Sequence, residues 1–137
     1  MPPVHPPERF YRDILGLGVT GESENYGPEQ EWLNNVFGAR LRITTLRAPA
    51  GPGVELLEYL TPRDGRPTPT DLKANDLAHW QIRVAVSDPD GALKAIRQGQ
   101  GSAVSPGAVA IPDARIGLRR GALVRDPDGH ALQLADD

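Results

Sequence analysis

A chain of 137 residues suits one hydrophobic core of ordinary domain size. Hydrophobic content of 39% and charged content of 24% lie near globular averages, which excludes collagen-like and wholly disordered chains, and no stretch approaches 18 apolar residues, so a membrane span is not expected. The formal charge of −3 without a long basic run gives no footprint for nucleic acid, and the lack of cysteine removes disulfides, thiol nucleophiles and Cys-ligated metals, leaving N and O donors for any ion.

Gly 15 and Pro 14 together make about a fifth of the chain, which predicts many turns and a strand-rich architecture. Residues 1–7 lack a basic stretch followed by an apolar one, so a cytoplasmic protein is expected. In residues 8–15, Phe10, Tyr11, Ile14 and Leu15 form a helical stripe, and Gly16 follows as its terminator. Residues 17–39 are polar and carry no clear period, apart from a strand expected near 18–21. Residues 40–47 and 54–60 are β-favouring runs, which the Gly- and Pro-rich stretch 48–53 joins into a hairpin. Three prolines and several charges in 61–77 mark a connection between two halves.

The second half opens with a strand over 79–86, in which Trp80, Ile82, Val84 and Val86 alternate with His79, Gln81, Arg83 and Ala85. The first set is the expected core face. Ser87 is the expected N-cap of a helix over 88–98, with Pro89, Leu93 and Ile96 inward. Three strands follow near 103–110, 117–125 and 131–135, the last two separated by the turn Asp126-Pro127-Asp128-Gly129. Placing Glu55 opposite Gln133 overlays the halves with an offset of 133 − 55 = 78 residues and suggests a duplication. The first half then reads α-β-β-β, its leading strand falling before residue 1. The expected fold is therefore α+β: paired βαβββ modules in one cupped mixed sheet, module one 1–62 without its leading strand, a linker 63–77 and module two 78–137.

Three runs resemble the vicinal oxygen chelate superfamily of glyoxalases, bleomycin-resistance proteins and extradiol dioxygenases: Phe10-Tyr11-Arg12-Asp13-Ile14-Leu15-Gly16-Leu17, Val54-Glu55-Leu56-Leu57-Glu58-Tyr59, and the segment from Val124 through Asp126-Pro127-Asp128-Gly129-His130 to Leu134. Metal-dependent members take one ligand from the first and one from the last strand of each half. The resemblance thus implies Glu55, His79 and Gln133 as ligands of one divalent ion (Ni, Zn, Mn or Fe), with Glu55 doubling as catalytic base. The fourth ligand belongs to the missing strand, and His5 lies too close to Phe10 to replace it. Candidate ligand contacts are Gln81, Arg83, Tyr59, Arg42 and Leu123.

Two functional classes follow. One is a metal-dependent lyase or isomerase acting on a small oxygen-rich metabolite. The other is a metal-free protein that sequesters a small molecule, or an inactive truncated relative. Gln133 is neutral and cannot act as a general base, which weighs against proton-transfer chemistry, whereas His79, Gln81 and Arg83 equally suit an anion-binding wall or a solvated sheet face. Glu58 falls on the opposite side from Glu55 and is expected to be exposed at an edge, and Trp32 either caps the cup or packs. The unpaired edge left by the missing strand predicts a homodimer.

Overall fold

The computed structural model describes residues 5–136. They form two compact units, one taking Pro67 onward together with the segment that ends at Phe10, the other spanning Tyr11–Arg66. No helix among the described residues is long and apolar enough to cross a membrane.

In the first of these, here the C-terminal unit, the short helix α1 (Pro6–Arg9) is followed by the wholly buried Phe10, which opens a π-helical turn (Phe10–Ile14) whose other residues belong to the second unit. The α-helix expected over 8–15 is thus split into two different turns. Strand β4 (Gln81–Ala85) is followed by α3 (Pro89–Gln98), two short strands β5 (Ser102–Ala103) and β6 (Val109–Ala110), and the hairpin β7 (Arg120–Arg125) and β8 (Ala131–Asp136). The sheet runs β4-β8-β7-β5, with β6 also on β7; β4 is parallel to β8 and the other pairings are antiparallel. This is the expected β-α-β-β-β order except that the strand expected near 103–110 is broken into two-residue strands, β5 and β6. The β4–β8 pairing closes through a crossover containing α3, as a parallel pair requires.

Alternation sorts the faces. The rows Ile82–Leu132–Val124 and Val84–Leu134–Ala122 carry the apolar side, and α3 contributes the buried Leu93 and Ile96. The helix starts one residue later than expected, because Asp88 rather than Ser87 is its cap: the Asp88 carboxylate accepts the Gly91 N–H at 3.0 Å, with Pro89 in the first turn.

In the second unit β1 (Gly18–Tyr26), β2 (Arg40–Arg47) and β3 (Val54–Thr61) form an antiparallel sheet in that order, and α2 (Pro28–Asn34) joins β1 to β2. The unassigned stretch 17–39 is therefore a nine-residue strand and a helix. Both escaped periodicity because β1 is exposed along nearly its whole length and α2 is inverted. Its inward row is Gln30 and Asn34: Gln30 donates to Asn34 and accepts from Asn25, while Trp32 and Leu33 face solvent.

Candidate functional site

Three strands of the C-terminal unit place Arg83, Gln133 and Leu123 in one row, and Gln81, Ala131 and Arg125 in the next row of the same face. This is the side away from the α3-covered core. Four of the five expected ligand-contact and metal positions in this unit thus share one surface, and His79 reaches it from just before β4 by its Nε2 contact with Gln81 Oε1 at 3.2 Å.

Arg83 organises the face. Its Nε donates to Gln133 Oε1 at 2.9 Å and its Nη2 to the Ile116 carbonyl at 3.4 Å, so that the 3-10 turn Ala114–Ile116 borders the guanidinium. A divalent ion at Gln133 would need the oxygen that Arg83 already holds, and would meet a full positive charge beside it. His79 has its Nε2 engaged and its Nδ1 buried without a partner. Gln133 as arranged does not fit a cation. Among the described residues no three His, Asp or Glu side chains form a group able to hold a metal ion.

The other expected residues lie in the second unit, on β2 and β3. Glu55, Leu57 and Tyr59 share one face, paired across to Thr45, Ile43 and Leu41, as alternation predicts. Glu55 is exposed, and its partner is Thr45, whose hydroxyl donates at 3.4 Å. Arg42 turns to the opposite face, where its Nη1 donates to Glu58 at 3.0 Å. Glu58 is correspondingly half-buried rather than edge-exposed, because the ion pair lets it lie against the sheet.

Trp80, expected in the core by alternation, is 57% exposed. β4 begins only at Gln81, so Trp80 sits beyond the sheet and packs on the His130 ring, with centroids 5.3 Å apart. The turn beneath it is the expected Asp126-Pro127-Asp128-Gly129 turn, closed by the Gly129 N–H on the Asp126 carbonyl. Asp126 is buried, accepts the N–H groups of Asp128 and His130 on Oδ1, each at 2.9 Å, and takes His130 Nδ1–H on Oδ2 at 3.1 Å. That contact raises the His130 pKa above its ordinary 6.5, and the nearby Asp128 adds to the effect against partial burial. Arg125 ties the same turn to the incoming chain by donating to the carbonyls of Gly129 and Leu72.

The family model of the glyoxalase/bleomycin resistance protein/dioxygenase superfamily matches residues 8–134. The chain belongs to that superfamily. Among solved structures, it is similar to a glyoxalase family protein from Bacillus cereus, with 21% identity over 90% of this chain and 80% of that one and a TM-score of 0.70. The trypanothione-dependent glyoxalase I of Leishmania major shares 18% identity over 93% and 74% of the two chains, with a TM-score of 0.55. TnmS3, an antibiotic binding protein from Streptomyces, shares 16% identity over 99% and 98%, with a TM-score of 0.54. At these identities the likeness is one of fold. No curated protein matches the chain.

Proposed function

We propose that this superfamily member is a small-molecule binding protein of the cytoplasm that holds its ligand on the Arg83 face without a metal ion. The observation that carries this reading is the Arg83 Nε–Gln133 Oε1 hydrogen bond, which commits the oxygen that a metal centre would use and places a cation in the ion's stead. The neutrality of Gln133 adds to it, since a lyase or isomerase moving a proton between carbons needs a base there or at Glu55, and Glu55 is exposed and hydrogen-bonded to a threonine. That a protein of similar fold is described as antibiotic binding supports the same class of activity.

The alternative is a metal-dependent lyase or isomerase using Glu55, His79 and Gln133, and the buried, unpartnered His79 Nδ1 is the observation in its favour. Elemental analysis of chelator-treated protein followed by Ni²⁺, Zn²⁺ and Mn²⁺ titration separates the two. The expected outcome is no stoichiometric ion and no saturable rebinding. About one ion per chain, lost in both Glu55→Gln and His79→Ala, would establish the alternative instead.

Self-association is part of the same reading. Tyr26, Trp32, Leu33 and Phe37 are 70%, 80%, 80% and 92% exposed within twelve residues of one another, an accumulation of the aromatic types that anchor protein interfaces. Sedimentation at micromolar concentration is expected to show a dimer, and the double substitution Leu33→Glu with Phe37→Glu a monomer that still melts cooperatively. A monomeric unsubstituted chain would remove this part of the proposal.

A further inference from the structure

We infer that the ligand on this face is a small organic anion, gripped through a carboxylate or phosphate by Arg83 with the side-chain amides of Gln133 and Gln81. The inference rests on the binding reading above and names the chemistry of its ligand.

It follows from which hydrogen-bonding groups are left over. A guanidinium has five N–H donors. Arg83 commits one at Nε to Gln133 and one at Nη2 to the Ile116 carbonyl, which leaves both hydrogens of Nη1 and one of Nη2. Gln133 spends its oxygen on Arg83, so its NH₂ group remains. Gln81 spends its oxygen on His79 Nε2, and its NH₂ group remains too. Arg83 and Gln81 are exposed and Gln133 is half-buried between Arg83 and Leu123. The three neighbouring side chains therefore offer donors, and each of the two amide oxygens already takes one donor.

Charge points the same way. Elsewhere in this unit Arg115, Arg119 and Arg120 each pair with a carboxylate, of Asp113, Asp136 and Asp90 respectively. Among the described residues no carboxylate pairs with Arg83, so its charge is uncompensated. A planar guanidinium with two neighbouring amide donors matches the fork geometry of a carboxylate or phosphate. Leu123, half-buried beside Gln133 in the same row, supplies apolar surface for an organic body attached to that group.

The test uses the intact chain in chelator-treated, low-salt buffer, titrated calorimetrically with benzoate, phenyl phosphate and the neutral isostere benzamide. Benzoate or phenyl phosphate should bind, benzamide should bind at least roughly tenfold more weakly, and Arg83→Gln should erase that preference. Gln133→Glu sets a carboxylate against Arg83 and should abolish anion binding while the thermal melt stays cooperative. Binding of benzamide equal to benzoate, or unchanged benzoate binding in both variants, would overturn the anionic assignment while leaving a binding protein. Failure of both anions at millimolar concentration would also overturn it. In that case a thermal-shift screen of neutral compounds reports separately on the parent reading: a hit retains it, and no hit beside stoichiometric metal binding removes it as well.

Discussion

Gly101→Ala is expected to cost about 3 kcal/mol of stability, a fall of roughly 10 °C in Tm for a chain of this size. Gly101 stands between α3 and β5 with φ +115°, a backbone conformation that L side chains rarely adopt. A Cβ placed there would lie 2.8 Å from the Arg125 carbonyl oxygen and 2.8 Å from the Phe10 ring. Neither neighbour yields easily, since the carbonyl belongs to β7 and Phe10 is the wholly buried anchor at the end of the N-terminal segment. The two costs, strain and overpacking, arise at one atom and act together. Gly65→Ala is the control: it is free of neighbours within 4 Å and does not have positive φ, so its melting temperature should be unchanged or slightly raised. Thermal melts followed by circular dichroism decide this, and a Gly101→Ala protein that melts like the unsubstituted chain would contradict the packing described.

Asp126→Ala is expected to destabilise by a similar amount, about 3 kcal/mol, because it removes a buried acceptor of three hydrogen bonds and leaves their donors to find new partners. Asp126→Asn is more selective. Its Oδ1 can still accept both backbone N–H groups, while the oxygen facing His130 Nδ1 and the negative charge are lost, so the cost should be smaller. The two variants also differ from the parent in pH dependence. The His130 pKa is raised in the folded state, chiefly by Asp126, so its contribution to stability is fully present below the ordinary value of 6.5 and is lost as pH rises through the higher folded value. Chemical denaturation at several pH values should therefore show the unsubstituted protein losing stability on the alkaline side of that window, and Asp126→Asn should flatten this limb. Retention of the limb in Asp126→Asn would mean that another group is responsible. Because the Trp80 ring packs against that of His130, tryptophan emission offers an independent readout of the same titration.

Particular elements show how far the sequence alone reaches. β2 is bounded at 40–47 as its residue pattern predicts, and β3, α3 and β8 fall within a residue of expectation, because β-favouring runs, a helical stripe and the turn residues that bound them are local features of the chain. β1 and α2 were not legible for the converse reason. A strand exposed on both faces has no alternation to display, and a helix whose inward row is Gln30 and Asn34 shows its apolar residues on the wrong side. Trp80 follows the parity of β4 but lies beyond its end, where parity no longer implies burial.

The sequence by itself determined the superfamily, the order of the main elements of the second half, and the sharing of one strand face by Gln81 and Arg83, since local period and motif order are properties of neighbouring residues along the chain. Only the tertiary structure decided what those side chains do to one another. Arg83 and Gln133 are fifty residues apart, and their hydrogen bond exists because β4 and β8 pair in parallel with one particular register. The same cross-strand logic turned Arg42 toward Glu58 and away from the face of Glu55 and Tyr59. Strand register is a long-range choice, and a shift of one residue would send every side chain to the other face, so the chemistry of this surface is written in the pairing rather than in any motif.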